Sequence, residues 1–352
     1  MINFKSYPSM TECIIEDNVR LSNTSMANAF SDMNALQTIC AHNSVTNMYN
    51  TYYSCENLTG SPVCGHGVIN MSQTYMHCTG LTGSPVCGDN VIDMSYTYAG
   101  CYNLTGSPVC GSNVTNMHNT YSDCKNLTGS PVCGPNVIDM YGTYLGCRNL
   151  TGSPVCGDNV INMYRTYSDC GNLTGSPVCG DNVIDMYLTY SDCTNLTGSP
   201  VCGHGVINMR QTYSNCRNLT GSPVCGPNVT NMVNAYYNCT NLTGSPVCGP
   251  NVTNMVNAYR GCYNLGGNMY CYSNSVSSAV NCFRDRSNTN GLNIYVHSGS
   301  TTHTTILGGK TIVGYSLSWT NDTTNGCHYN TQYNIYLYPV ENVAAAREAN
   351  GD

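Results

Sequence analysis

The sequence predicts a repeat solenoid that is followed by a small C-terminal all-β domain. Cysteines recur at a constant step of 23 residues from Cys55 to Cys262, which gives nine full cycles of near-identical sequence. Within each cycle, an apolar pattern with helical spacing precedes a segment rich in glycine, proline and asparagine. Self-similarity at a fixed period of this length is typical of stacked repeat architectures.

Each cycle is predicted to form a short helical turn and then a brief strand, with tight corners between them. In one cycle, the residues at helical offsets 0, 3, 4, 7 and 10 are Met186, Thr189, Tyr190, Cys193 and Leu196. The following TGSPVCGHGV contains glycines and a proline that stop a helix and turn the chain. The asparagine or glycine before the fixed valine, as at Asn113, is predicted to adopt the left-handed conformation.

A single 23-residue cycle has too few inward side chains to bury a core, so the cycles must stack on one another. The repeat pattern assigns residues 1–32 to an N-terminal cap and 33–271 to a solenoid of 22- and 23-residue coils. Residues 272–282 form a transition, and 283–352 form the C-terminal β domain with a short tail.

Beyond Phe283 the sequence alternates apolar and polar residues between glycine, asparagine and serine turns. The stretches LNIYVHSG, TTILGGKTIVGYSLSWT and QYNIYLYPV therefore predict several antiparallel strands. The tail ENVAAAREANGD is predicted to be a short helix or disordered. This domain is expected to cap the open end of the solenoid, and it is a candidate surface for docking to a larger assembly or for homo-oligomer formation.

The composition argues against a nucleic-acid partner and against membrane insertion. Only 9% of the residues are charged and the formal net charge is −7, so the chain lacks a basic footprint for phosphate backbones. It has no 18-residue apolar run, and MINFKSYPSM lacks the apolar segment of a secretory signal peptide. The 24 cysteines, 28 tyrosines and scarce charge nevertheless suit a surface outside cells. A virion protein would explain both the missing export signal and this composition, since it folds inside a host cell and functions outside.

The strings from Val45 to Leu58 and from Val114 to Leu127 share the pattern Val-Thr-Asn-Met-x-x-x-Tyr-x-x-Cys-x-Asn-Leu. This pattern resembles the BspA-type leucine-rich repeat, and the related Met-x-x-Met-Phe-x-x-Cys-x-x-Leu repeat of bacterial surface proteins, over about two thirds of the chain. The usual phenylalanine is tyrosine here, and TGSPVCG replaces the leucine-rich strand. The resemblance implies a leucine-rich-repeat-like solenoid that serves as an extracellular or virion-surface binding scaffold; such repeats also occur in phage proteins.

Two columns of cysteines, nine residues apart, form a structural ladder. Its first members are Cys55, Cys64, Cys78, Cys87, Cys101, Cys110, Cys124, Cys133, Cys147 and Cys156. Cysteine behaves as a small apolar residue, so packed thiols fit both columns. Disulfides are an alternative, because neighbouring coils bring equivalent Cα atoms to about 4.8 Å. A metal site is disfavoured, because the spacing lacks the close cysteine pair of structural zinc sites. Reduced thiols are expected, since the sequence carries no export signal.

No catalytic constellation, cofactor site or metal site is predicted, so the chain is not expected to be an enzyme. The histidines fall in scattered repeats, and six coils separate His66 from His204, a distance of about 29 Å. The LGGK segment at 307–310 lacks the spacing and the hydroxyl residue of a phosphate-binding loop.

The repeats differ from one another mainly at positions one, two, five and six after the methionine, which share one outward face of the coil. Exposed tyrosine and arginine are frequent in binding hot spots, so this outward ridge is the candidate recognition surface. Its candidate binding residues are Tyr96, His118, Tyr141, Tyr164, Arg165, Tyr187 and Arg210. The alternative is that these positions vary because nothing constrains them.

The invariant residues offer a second candidate surface. Hydroxyl columns repeat at Thr59, Thr82, Thr105 and at Ser61, Ser84, Ser107. Such a lattice could meet ice or a repeating polysaccharide. Recent tandem duplication also explains why these residues are identical from repeat to repeat, without any ligand.

These observations predict a non-enzymatic, surface-displayed binding or structural protein, such as a phage virion fibre, a decoration protein or an adhesin. Its expected partners are a host-surface glycan or protein and other virion or surface subunits. The alternatives are a self-associating filament or lattice protein and an ice- or polysaccharide-binding solenoid. The predicted location is the virion surface or the extracellular space, without a recognisable signal peptide.

Overall fold

The repeats form stacked coils in a computed structural model, which describes residues 4–15, 24–39, 42–287, 289–308, 312–313, 315 and 317–352. The chain divides into two compact units, Met1–Thr174 and Gly175–Asp352. In the first unit, Asp93 forms parallel β-bridges with Asn70 of the preceding coil and Asn116 of the following coil. The second unit has the same bridges in the column from Asp185 to Ser278. The predicted solenoid is therefore observed in each unit.

The predicted helical turn is replaced by two consecutive β-turns. In the first turn, the amide of Thr97 donates to the carbonyl of Met94 at 3.0 Å. In the second, the amide of Cys101 donates to the carbonyl of Tyr98 at 3.0 Å. Two four-residue turns place the same residues inward as a helix would, which is why the apolar spacing suggested a helix.

The third residue of each turn takes a left-handed conformation and bonds to the next coil. Tyr96 and Gly100 have φ angles of +55° and +74°, which a right-handed helix cannot accommodate. Their amides donate to the carbonyls of His118 and Ser122, each at 2.8 Å. The hydrogen bonds that would lie within a helix therefore join one coil to its neighbour.

The left-handed corner predicted before the fixed valine is not observed. Asn113 is absent from the residues with positive φ, and its side-chain amide instead donates to Asp89 O of the preceding coil at 2.8 Å. Where glycine takes this position, at Gly67, an added Cβ would lie only 2.7 Å from Asn43 O. Glycine suits the position at Gly67 because the backbones approach closely there, whereas asparagine suits it elsewhere because its side chain bonds to the preceding coil.

The core consists of columns of equivalent side chains, all with 0% exposure in a representative coil that contains Val114, Met117, Tyr121, Cys124 and Leu127. The buried rings stack face to face. In the first unit the stacked column runs through Phe4, Phe30, Tyr52, Tyr75, Tyr98, Tyr121, Tyr144 and Tyr167. In the second unit it runs through Tyr190, Tyr213, Tyr236, Tyr259 and Phe283.

Where a tyrosine of these columns faces a TGSPVCG segment, its hydroxyl bonds to the segment and fixes it to the core. Tyr121 Oη donates to Val109 O at 2.7 Å and accepts from Val109 N at 3.0 Å. Tyr98 makes the same two bonds to Val86, at 2.6 and 3.0 Å. The strand predicted for TGSPVCG is present in one described coil only. In the other coils, the tyrosine hydroxyl makes the backbone hydrogen bonds that a neighbouring strand would make.

The second unit ends in a mixed six-stranded sheet with two helices. The elements in chain order are β1 (Val247–Cys248), β2 (Gly267–Cys271), β3 (Leu292–His297), α1 (Thr301–Gly308), β4 (Thr320–Asp322), β5 (Cys327–Asn330), β6 (Ile335–Val340) and α2 (Val343–Ala349). The strand order is β1-β2-β3-β6-β5-β4. The first four strands in this order pair in parallel, and β6, β5 and β4 pair antiparallel.

This region differs from the predicted all-β antiparallel domain in two respects. Helix α1 occupies part of TTILGGKTIVGYSLSWT, where Ser300 Oγ accepts a hydrogen bond from His303 N at 3.1 Å; residues 309–311, 314 and 316 of that stretch lie outside the described residues. Strand β3 pairs in parallel with β2 and β6 and so continues the parallel pairing of the coils. An alternating apolar pattern cannot distinguish the two pairing directions.

The tail forms a helix, which is one of the two alternatives predicted for it. Asn342 caps α2, and its Oδ1 accepts from the amides of Ala344 and Ala345 at 2.9 and 3.1 Å. The sequence-based domain boundaries stay a prediction, and residues 1–3 and 16–23 of the proposed N-terminal cap lie outside the described residues.

Candidate binding surface

The outward ridge of the first unit carries a stack of four aromatic rings, Tyr96, His118, Tyr141 and Tyr164, here called the aromatic strip. The Tyr96 and His118 centroids are 5.2 Å apart. His118 and Tyr141 are 4.3 Å apart and nearly parallel, and Tyr141 and Tyr164 are 4.6 Å apart. His118, Tyr141 and Tyr164 stack because they hold the same position in the first β-turn of successive coils, whereas Tyr96 lies one position later in its turn and its ring is tilted by 42° against His118. The structure therefore brings four of the predicted site residues together, half-buried.

The imidazole within the aromatic strip is oriented by a carboxylate. His118 Nδ1 lies 3.1 Å from Asp139 Oδ2. The other oxygen of the same carboxylate accepts from Tyr141 N at 2.8 Å. Asp139 therefore fixes both the turn that carries Tyr141 and the ring that stacks on it.

The predicted arginines lie against tyrosine rings. The guanidinium carbon of Arg165 is 5.4 Å from the centroid of Tyr164 in the first unit. In the second unit, Arg210 lies 5.2 Å from the ring of Tyr187. Both pairs have the geometry of cation–π contacts. The structure thus places all seven predicted residues in contact with another member of the set, within their respective units.

A groove of about 230 Å³ runs beside the aromatic strip in the first unit. This ridge groove is lined by residues that include Tyr96, Tyr102, Asn119, Asp123, Tyr141 and Arg165. It combines ring surfaces with an amide, a carboxylate and a guanidinium, which is the composition of a site for a ligand with both apolar and polar faces.

Three of these lining residues, Tyr102, Asn119 and Asp123, were not predicted as site residues. Asn119 and Asp123 occupy variable outward positions, so the comparison of repeats contained the signal for both. Tyr102 follows the buried Cys101, and its ring is 39% exposed with Lys125 Nζ 4.5 Å from its centroid. The position after the first cysteine also differs between repeats, and comparing it would have identified Tyr102.

The cysteine columns are structural and poorly reactive. Cys101 of the first column is fully buried, and its thiol donates to Tyr75 O of an earlier coil at 2.9 Å. Burial raises the pKa of Cys101 from its ordinary value of 9.0 to about 12. In the second, half-buried column, burial likewise raises the pKa of Cys110 to about 12. The described cysteines are free thiols, and a protonated thiol is a weak nucleophile and metal ligand.

Replacing Cys147 by alanine is expected to lower the free energy of unfolding by about 1 kcal/mol. The thiol is fully buried and donates to Tyr121 O at 3.0 Å, so its loss leaves a small void and removes one of two hydrogen bonds to that carbonyl, which keeps the bond from Cys124 N. Chemical denaturation of both proteins measures the difference. Thiol counting in denaturant without reductant tests the ladder itself: a count close to all 24 cysteines supports packed thiols, whereas four or fewer would show disulfides.

The invariant threonine hydroxyls are already used within the protein. Thr105 Oγ1 donates to Thr82 O at 2.5 Å, and Thr128 and Thr151 donate to Gly106 O and Gly129 O at 3.3 Å. Their protons are therefore unavailable to an external lattice. The threonine column is therefore poorly suited to donate to an external lattice, whereas the exposed hydroxyls of Ser84 and Ser107 bond to no described residue.

Within the described residues, no cluster of three or more His, Cys, Asp or Glu side chains could hold a metal ion. In the same part of the chain, every helix is too short or too polar to cross a bilayer.

No protein-family model and no curated protein matches the sequence. Among solved structures, the chain is similar to a leucine rich cell surface protein from Faecalibacterium prausnitzii. The identity is 14% and the TM-score is 0.36, over 82% of this chain and 88% of that one. The solenoid is shown by the parallel bridges and stacked columns described above, independently of this likeness.

Proposed function

We propose that the chain is a non-enzymatic binding protein displayed on a virion or cell surface, such as a phage fibre, a decoration protein or an adhesin. It contacts a host-surface glycan or protein through the outward ridge of its coils. The observation that carries this proposal is the aromatic strip of Tyr96, His118, Tyr141 and Tyr164. Rigid aromatic side chains supply contact area at a low cost in conformational entropy, as in other protein recognition surfaces.

The scaffold beneath the aromatic strip supports the same function. Every coil has the same buried columns, whereas the residues on the ridge differ from coil to coil. A constant framework that presents variable side chains is the usual arrangement of a binding surface. The two neighbouring coils hold the backbone of each turn, as at Tyr96 N and His118 O, so the ridge side chains are presented in fixed positions.

Mass spectrometry of purified particles, together with protease release from intact cells, tests the proposed location. The chain is expected among the particle proteins or the peptides released from the surface. An abundant protein of the cell interior serves as the leakage marker. Recovery of the chain with that marker alone would contradict surface display.

Self-association is the second candidate function, because one face of the coils exposes a column of isoleucines. Ile69, Ile92, Ile138 and Ile161 in the first unit are 44 to 46% exposed. An exposed apolar column can pair with another copy of the chain. Threonine occupies the same position at Thr115, so Ile138→Thr is expected to fold and to weaken association. A monomer at all concentrations and ionic strengths in light scattering would count against this function.

A further inference from the structure

We propose that the ridge groove of the first unit binds a neutral saccharide. The inference rests on the proposed binding function, because it names the chemical class of ligand for the same ridge. It depends on three features of the groove: the small residues that open it, the uncommitted polar groups around it, and the ring surfaces beside them.

The groove is open because small residues interrupt a row of larger ones. Gly100 stands at the position where the adjacent coils have His77 and Asp123. Gly100 has a φ of +74°, and His77 and Asp123 have a similar positive φ of +61° each. The backbone therefore accepts a side chain at this position. An added Cβ would lie 2.5 Å from His77 Nδ1, so the His77 side chain would have to move aside. Glycine here leaves space for that ring and for the groove rather than relieving strain.

Four polar side chains around the groove have hydrogen-bonding groups that no other described residue uses. Asn119, Ser122, Asp123 and Arg165 line it, and none forms a side-chain hydrogen bond or ion pair with another described residue. Asp123 supplies only acceptors, Arg165 supplies only donors, and the other two supply both. Sugar hydroxyls both donate and accept, so this mixture can satisfy neighbouring hydroxyls of one ring.

Tyrosine rings supply the complementary apolar surface. Tyr96, Tyr102 and Tyr141 contribute to the lining of the groove. The face of an aromatic ring carries negative charge density, which attracts polarised hydrogens. The C–H groups on one face of a pyranose ring are such hydrogens. Both faces of Tyr141 already meet His118 and Tyr164, and Lys125 Nζ lies over the ring of Tyr102. A sugar can therefore pack on Tyr96 while its hydroxyls bond to the polar groups.

The groove is poorly suited to an extended peptide or an acidic sugar. Peptides that add to a protein as a strand need free backbone groups, but Tyr96 N and Asn119 N already donate to His118 O and Tyr141 O at 2.8 and 2.7 Å. The groove offers one carboxylate, Asp123, and one guanidinium, Arg165. These opposite charges balance within the lining, and the nearby ammonium of Lys125 is directed at the ring of Tyr102, 4.5 Å from its centroid. The lining itself therefore favours a neutral ligand.

The test is binding of the labelled full chain to a printed array of neutral hexose and N-acetylhexosamine oligosaccharides, with sialylated and uronic-acid oligosaccharides on the same array. The strongest neutral saccharide is then titrated against variants copied from other coils. Tyr96→Gln introduces the residue found at Gln73 and Gln211, and Gly100→Asn introduces the residue found at Asn215 and Asn238. Both are therefore expected to fold, which denaturation midpoints check.

Tyr96→Gln and Gly100→Asn are each expected to weaken saccharide binding about tenfold or more. The control Leu188→Gln changes the equivalent turn position of the second unit and is expected to bind within about twofold of the parent. The inference is overturned if the parent binds no neutral saccharide, if it prefers acidic ones, or if both groove variants bind like the parent. Surface recovery of the chain in that case would leave the proposed function standing with another ligand.

Discussion

Raising the pH from 8 to 10 is expected to unfold the chain. Ten cysteines of the first column, from Cys55 to Cys262, are fully buried. Burial raises the pKa of a representative thiol, Cys101, from 9.0 to about 12. The folded state therefore keeps protons that the unfolded state releases. The stability that this difference provides is fully present below about pH 9 and is lost as the pH rises toward 12.

The size of the effect follows from the number of thiols. At pH 10 an unfolded thiol with the ordinary pKa of 9.0 has passed its pKa by one unit, which costs the folded state about 1.4 kcal/mol per buried thiol. Burial raises the pKa of eight of these ten thiols, at Cys55, Cys78, Cys101, Cys124, Cys147, Cys170, Cys216 and Cys239. Together they cost the folded state about 11 kcal/mol, which is as large as the 5–15 kcal/mol that typically separates folded from unfolded domains. Buried tyrosines such as Tyr98, whose pKa burial also raises well above its usual value, add to the loss.

Circular dichroism during a pH titration in the presence of reductant measures this unfolding. Cys101→Ser is the matched variant, because a serine hydroxyl can still donate to Tyr75 O but does not titrate in this range. Its unfolding free energy should fall by about 1.4 kcal/mol less than that of the parent between pH 8 and 10. An unchanged signal up to pH 10 in the parent would show that the columns do not titrate as buried thiols.

The solenoid and its core could be predicted because the repeat itself encodes them. The set Met117, Tyr121, Cys124 and Leu127 of one coil recurs in the other coils at one fixed spacing, and only stacking of the coils can bury all of its members. The local backbone could not be predicted in the same way. Tyr96 has a positive φ although the residue is neither glycine nor asparagine, the types that would predict one. Hydrogen bonds to the neighbouring coil impose the turn.

The candidate site was predicted in part for a related reason. Variation between repeats identified Tyr141 and Tyr164, since each lies on the outward side of its own coil. The ridge groove depends on differences between neighbouring coils, such as Gly100 beside Asp123. A position that is small in one coil and large in the next creates a cavity only after the coils are aligned in space. Sequence reasoning that treats each repeat separately therefore finds the ridge and misses the groove.

Removing one buried hydroxyl is expected to be nearly as damaging as removing a core side chain. The variant Tyr121→Phe keeps the ring between Tyr98 and Tyr144, whose centroids lie 5.5 and 5.6 Å away. A phenylalanine ring fits such a column, since Phe30 stacks 5.2 Å from Tyr52. The loss is therefore confined to hydrogen bonding.

Tyr121 Oη is the partner of both backbone groups of the half-buried Val109, and a group left unpaired away from water costs about 1–3 kcal/mol. Tyr121→Phe should therefore lower the unfolding free energy by about 2 kcal/mol or more in urea denaturation. Tyr49→Phe is the control, because this ring is 37% exposed and its hydroxyl bonds to no described residue. Equal midpoints for the two variants would show that the TGSPVCG segment is held by packing alone, and that the tyrosine column is selected for its ring and not for its hydroxyl.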